Sequence, residues 1–224
     1  MDKKKYYEAY EVRFRQVHDA HLQWFADTPT PIVEEVLTRF GIDKTCSILE
    51  IGCGEGRDAA HLLKAGFPVL ATDVSAEAVR YCREKYGYFE AFQVLDCLKD
   101  RLEKKYDCIY AVAVLHMLVI PEDRDGFWQF LGQHLKADGI ALICSMGDGN
   151  AEMKSDIRTA FQSADRVHEQ TGTVLQLAGT SCCMVSFDTL RREIRKNGLA
   201  ILEEGITCSP PDFPQMMYAV VKRA

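Results

Sequence analysis

No apolar run in this 224-residue chain approaches the ~18 residues needed to cross a membrane, and Met1-Asp2-Lys3 is not followed by the apolar core of a signal peptide. Neither a membrane-spanning nor a secreted protein is expected. Basic charge is also scarce, with 27 Lys and Arg against 33 Asp and Glu and a net charge of -6. That balance leaves no electrostatic footprint for nucleic acid, and Lys3 to Lys5 is too short a run to supply one. C-x-x-C pairs are missing although nine cysteines are present. An odd number of thiols, with Cys46, Cys82, Cys108 and Cys144 inside apolar runs, reads as small buried hydrophobes in a reducing, cytoplasmic setting. Neither a disulfide nor a metal site is expected, and His18-x-x-His21 alone supplies too few ligands for one.

At 47% apolar residues the chain can bury one sizeable core, which predicts a single domain over 1–224. The stretch Ile48-Leu49-Glu50-Ile51-Gly52-Cys53-Gly54-Glu55-Gly56-Arg57-Asp58 organises it. A short apolar run bounded by glycine and followed by Ala59, Ala60, Leu62 and Leu63 reads as a buried strand feeding a helix. Glycines at alternate positions allow a sharp turn and let a ligand lie against the backbone. The spacing is not the G-x-G-x-x-G of dinucleotide sites, and Glu50, with Glu55, would put negative charge beside a pyrophosphate. Acidic residues suit a cationic ligand instead.

Glu50-x-Gly52-x-Gly54-x-Gly56 resembles motif I of the class I S-adenosylmethionine-dependent methyltransferases. The resemblance implies an α/β, Rossmann-like seven-stranded sheet, mostly parallel with an antiparallel C-terminal hairpin and helices on both faces. It implies S-adenosyl-L-methionine as cofactor, held by Glu50, Gly52, Cys53, Gly54, Gly56 and Arg57. A second strand, Phe67 to Asp73, ends in an acid 17 residues beyond Gly56. Asp73 would accept the ribose hydroxyls, with Val74 beside it; the bland alternative is a turn residue before the Ser75 cap. Asp96-Cys97, after the strand Phe89 to Leu95, resembles the next motif, an acid accepting from the adenine amino group and a backbone amide meeting the ring. Asp96 can also cap the segment that follows.

The fourth strand, Asp107 to Val114, runs into Leu115-His116-Met117, where the family places residues near the methyl group. Val114 is expected at the cofactor. His116 is the candidate catalytic residue, either as general base or as an orienter of the strand end through a backbone contact. The Asn/Asp-Pro-Pro-Tyr signature of amide- and adenine-methylating branches is absent. That counts against those substrates, and an acidic chain with aromatic N-terminal helices and one lid, but no protein-docking domain, favours a small-molecule acceptor, in a layout similar to the thiopurine and tellurite-resistance methyltransferases. A non-catalytic binding or interaction protein on the same fold is the alternative reading.

Outside the cofactor-binding core, 42–146, three regions are additions. Residues 1–41 form a helical cap, with one helix expected over 5–26 and a second from Pro31 to Gly41. Trp24, Tyr6 and Tyr7 are candidates for closing over ligand. Residues 147–185 are too long for an ordinary connection and read as a substrate lid after strand 5. A helical piece is expected over Glu152 to Glu169 and a β-prone piece over Thr173 to Val185. Arg158, Phe161, Arg166 and His168 are possible substrate contacts, and Cys182-Cys183 a possible soft-metalloid site. Residues 186–224 give a helix and the final hairpin. The protein is expected to work as a monomer or homodimer.

Overall fold

The computed structural model describes residues 5–168 and 170–224. Lys3 and Lys4 of the basic run, and Glu169 at the end of the expected insertion helix, lie outside the described residues.

Strand β1 (Ile48–Ile51) leads through the glycine turn into α3 (Arg57–Lys64), after the earlier helices α1 (Ala9–Asp19) and α2 (Pro31–Arg39). There follow β2 (Val69–Asp73), α4 (Ala76–Tyr86), β3 (Phe92–Val94), β4 (Tyr106–Val112), α5 (Pro121–His134) and β5 (Leu135–Met146). The local punctuation works as the sequence predicts. Ser75 Oγ accepts the Ala78 N–H at the start of α4, Gly87 ends that helix in the left-handed region, and proline opens α2 and α5.

After the insertion come α6 (Phe187–Lys196), β10 (Leu199–Ser209) and β11 (Phe213–Arg223). The seven strands lie in the order β10-β11-β5-β4-β1-β2-β3. β1 to β5 are mutually parallel, and β11 runs antiparallel between β5 and β10. Helices α5 and α6 bury Phe127, Trp128, Leu131, Leu190 and Ile194 against one face. Helices α2, α3 and α4 bury Val36, Leu62, Val79 and Cys82 against the other. Each such side chain stabilises the fold by about 1.5–3 kcal/mol. This is the Rossmann-like seven-stranded arrangement that the sequence predicts.

Two expectations are corrected. The first helix does not reach residue 26: after a single 3-10 turn at Tyr6–Glu8, α1 stops at Asp19. His21 sits at φ 56, and the N–H groups of Trp24 and Phe25 go to the Glu55 carboxylate rather than to helix carbonyls. Nor does the insertion hold a helix over 152–168. It holds β6 (Met153–Lys154), β7 (Ser163–Val167), β8 (Val174–Ala178) and β9 (Cys183–Met184), with one 3-10 turn at Ile157–Thr159. Asp156 caps that turn through the Arg158 N–H, and Ala160, at ψ 140, ends it. β7 and β8 then form a hairpin, pairing Ser163 with Ala178 through to Val167 with Val174. The hairpin leans on α1. The Arg13 guanidinium donates to the Ala178 carbonyl at 2.8 Å, and the Ala178 N–H donates to Gln16 Oε1 at 2.8 Å.

Candidate functional site

The strand order reverses between β1 and β4, the point at which parallel sheets leave a crevice beyond their strand ends. A cleft of about 1020 Å³, counting its solvent-open mouth, lies there. It is lined from below by Glu50 and the glycine turn, by Asp73 and Val74, by Asp96 and Cys97, and by Val112 to Val114. Tyr7, Tyr10, Phe14, Phe25 and Phe213 supply aromatic surface.

The turn is fixed to β2 by backbone bonds, since the Gly52 and Cys53 N–H groups both donate to the Thr72 carbonyl, at 2.7 and 2.9 Å. Gly52 has φ 72, and a Cβ there would lie 2.3 Å from Val114 Cγ2. Only glycine lets β1 and the end of β4 approach this closely. Gly56, at φ 81, gives the same access to Cys82, whose sulfur would sit 2.7 Å from an added Cβ. Ala113, also on the cleft wall, holds φ 60 without being glycine. Such a conformation costs on the order of 1 kcal/mol, and nothing in the sequence pattern marks it.

The acids that line the cleft differ in how they are used. Asp73 Oδ2 accepts the Gly54 N–H and Oδ1 the Ser75 N–H, both at 2.8 Å. Burial pushes its carboxyl up to about 6 despite those bonds. Asp96 accepts the Tyr7 hydroxyl at 3.0 Å and the Leu98 N–H at 3.0 Å, so it does cap the segment behind it. Tyr7 is held protonated, by its burial first and by the Asp96 charge second. Glu50 is buried, and burial raises its carboxyl well above the usual range, with Asp58 adding to the effect. Glu50 Oε2 and the hydroxyl of Tyr110, its partner in the β1–β4 register, are both buried and interact with each other, the hydroxyl offsetting part of the rise in the Glu50 carboxyl, and neither has a further hydrogen-bond partner among the described residues. A buried acid on a cleft wall fits a cationic ligand group, whose charge would favour its ionised form.

Glu55 also lines the cleft, and its carboxylate is taken up by the N-terminal segment. It accepts the Trp24 N–H at 2.8 Å and the Phe25 N–H at 2.7 Å, and His18 Nε2 lies 3.1 Å from it. Arg57 lines the cleft, yet its guanidinium donates to Asp212 Oδ2 and Ser209 Oγ, each at 2.7 Å. Cys53 and Cys97 also line it; their thiols are raised, Cys97 to about 12, with burial a principal cause for both and the hydrogen bond to Cys82 the first for Cys53. They contribute backbone and shape rather than thiolate chemistry.

Three expected contacts move elsewhere. The Trp24 ring is not on the cleft wall; it packs 5.3 Å from the Arg13 guanidinium and 6.3 Å from the His168 ring, leaving Phe25 to face inward. Tyr6 bonds Asp123 and the Val119 N–H, which docks the first turn on the core. His116 is buried outside the lining and accepts the Met146 N–H on Nδ1 at 3.4 Å. Burial, then the Arg124 charge, lowers it to about 3. Of its two expected roles, the structure shows the backbone contact. In the insertion, His168 is likewise structural, with Nε2 2.6 Å from the Gln23 carbonyl. Cys182 and Cys183 do not join any group of three His, Cys, Asp or Glu suited to a metal among the described residues.

Residues 49–141 match the family described as "Methyltransferase domain". The chain is 30% identical over 122 residues to the ubiquinone biosynthesis O-methyltransferase of Rickettsia canadensis, covering 51% of this chain and 49% of that protein. It is 30% identical over 127 residues to the trans-aconitate 2-methyltransferase of Azoarcus sp., covering 53% and 46%. The chain thus spans about half the length of the curated relatives it matches. Among solved structures it resembles the glycopeptide N-methyltransferase MtfA complexed with S-adenosyl-L-methionine (TM-score 0.63, 16% identity, 88% of each chain). It also resembles a TehB-like S-adenosylmethionine-dependent methyltransferase from Corynebacterium glutamicum (TM-score 0.59, 19% identity, 97% of each chain). At these identities the structural likeness is one of fold. No described helix is long and apolar enough to cross a membrane.

Proposed function

We propose, for a chain that belongs to the class I S-adenosylmethionine-dependent methyltransferases, transfer of a methyl group from S-adenosyl-L-methionine to a small-molecule acceptor by direct displacement. The cofactor reading is carried by Glu50, a buried acid on the wall of a cleft that Asp73 and Asp96 also line, a setting that suits a cationic ligand better than a pyrophosphate. In this reading Glu50 holds the ammonium group and Asp73, pre-oriented by Gly54 and Ser75, accepts the ribose hydroxyls. Asp96 accepts from the adenine amino group, Cys97 meets the ring through its backbone, and Val114 and Val74 pack against the ligand. The bound cofactor supplies a methyl group on a sulfonium, which is already an activated leaving group. The chain's own task is then alignment and exclusion of water, for which no nucleophile or general base of the protein is required.

A small acceptor is supported by the aromatic lining of the cleft, by the acidic balance of the chain, and by the small acceptors named for the two curated relatives. The test is a panel of phenols, carboxylic acids, amines and thiols, scored by acceptor-dependent formation of S-adenosylhomocysteine. Turnover with a member of the panel supports the reading. Tight cofactor binding with no turnover of any small acceptor, but turnover of a protein or nucleic acid, contradicts it.

A further inference from the structure

Glu55 occupies the one non-glycine position between Gly54 and Gly56, lines the cleft, and bonds the N-terminal segment through its side chain. It is 3% exposed and receives three donors from that segment: the Trp24 and Phe25 N–H groups and the His18 ring. Phe25 and Ala26 continue from this anchor across the cleft. Their far side is held by the β10–β11 turn, where the Ala26 N–H lies 3.3 Å from Asp212 Oδ2 and the Phe25 ring packs 6.1 Å from that of Phe213. One carboxylate inside the cofactor turn therefore carries one end of the roof over the same cleft.

We propose that Glu55, keyed by His18, is a positioning residue that seats residues 24–26 over the cleft and so retains the bound cofactor. The inference rests on the cofactor assignment above. It gives Glu55 a role different from the ligand contact that its place in the glycine turn suggests.

His18 sets the condition under which the latch holds. Its Nε2 lies 3.1 Å from Glu55 Oε1, its Nδ1 lies 2.8 Å from Glu77 Oε1, and its ring stacks on Tyr81 at 4.2 Å. A neutral imidazole has one N–H and can donate to only one of two carboxylates; the protonated ring donates to both. The charged groups around it come from every packed element. Glu11 on α1 accepts the Ser75 hydroxyl and the Glu77 N–H, Arg80 pairs with Glu77, and Lys85 lies against the Tyr81 ring and pairs with Asp27. Burial alone would lower the imidazole, but the bonds to Glu55 and Glu77 outweigh it and raise its pKa above 6.5. The doubly bonded state is thus complete below 6.5 and is lost as pH rises through the raised value.

The test measures S-adenosylhomocysteine dissociation by stopped flow, with hydrogen exchange of residues 20–27, for the wild type, Glu55→Gln and His18→Gln. Loss of one charge-assisted bond predicts release about tenfold faster in Glu55→Gln, with its 24–25 amides exchanging faster both with and without ligand and its melting temperature little changed. In the wild type, release accelerates between pH 6 and pH 9, and His18→Gln removes that acceleration. The inference is overturned if the wild type binds S-adenosylhomocysteine with a pH-independent release rate that matches both variants. It is also overturned if affinity falls only in step with global melting. A wild type that is folded but binds no S-adenosylhomocysteine would instead remove the cofactor assignment, so the two failures are distinguishable.

Discussion

The Gly54 N–H donates to Asp73 Oδ2 at 2.8 Å, so the middle glycine of the turn and the acid that ends β2 form one unit. Asp73 also lines the cleft. Replacing Asp73 by Ala is expected to weaken S-adenosylmethionine binding by roughly 2–4 kcal/mol, the loss of two hydroxyl bonds to a charged acceptor, with circular dichroism unchanged. An unaltered dissociation constant would move the ribose site elsewhere.

The same carboxyl predicts a pH dependence of opposite sign for ligand binding and for folding. Burial, only partly offset by the Ser75 and Gly54 N–H groups, raises it to about 6. Binding that needs the ionised acceptor therefore weakens as pH falls below about 6, and Asp73→Asn should shift that limb of a calorimetric pH series. In the unliganded protein the folded state holds this proton more tightly than the unfolded chain does. Its contribution to stability is therefore largest below the ordinary value of 3.8 and declines as pH rises to about 6.

Glu50 offers a test by ligand trimming. If its carboxylate receives the ammonium group, Glu50→Gln weakens S-adenosylhomocysteine by about tenfold, the scale of one charged bond. The same change leaves 5′-methylthioadenosine, which lacks the amino acid, bound as before. Equal loss for both ligands would place Glu50 in the architecture of the turn and not at the cofactor.

His116 predicts a contrast between stability and turnover. With its pKa lowered to about 3 and Nδ1 accepting the Met146 N–H, His116→Ala should lower the melting temperature while S-adenosylhomocysteine affinity changes little. Turnover, once an acceptor is found, should fall by far less than the ~10² to 10⁴ that loss of a general base costs. A drop in that range with stability intact would restore the base role.

The N-terminal helix and the insertion hairpin should open together. Arg13 is buried and donates twice to the Ala178 carbonyl, and the Ala178 N–H returns to Gln16. Arg13→Ala should speed amide exchange in 9–19 and in 163–167 and 174–178 alike, and bound S-adenosylhomocysteine should slow both. Exchange that changes in one segment alone would mean two separate covers.

The parts legible in the sequence are those written locally. Glycines at fixed spacing, an acid at the end of an apolar strand, serine caps and N1 prolines each act within a few residues, and they place β1 to β5 and the cleft floor at Glu50, Asp73 and Asp96. What escaped depends on partners far along the chain. Residues 163–167 carry enough polarity to pass for a surface helix, and become a strand because 174–178 pairs with them and α1 holds the outer strand. Trp24 and Phe25 present the same alternation to any reader, and which one faces the cleft is settled by where Glu55 catches their N–H groups. His116 is a catalytic candidate by its position after β4, while the packing of Arg124 and β5 that buries its ring depends on residues far along the chain.

The central claim is that the cleft between the β1 and β4 strand ends is a site for S-adenosylmethionine. Titrating S-adenosylhomocysteine into the folded protein in a calorimeter tests it most directly. The account predicts saturable heat with one ligand per chain and a dissociation constant in the micromolar range, lost in the Asp73→Ala variant. Protein that is folded by circular dichroism yet gives no heat with S-adenosylhomocysteine or S-adenosylmethionine would contradict it.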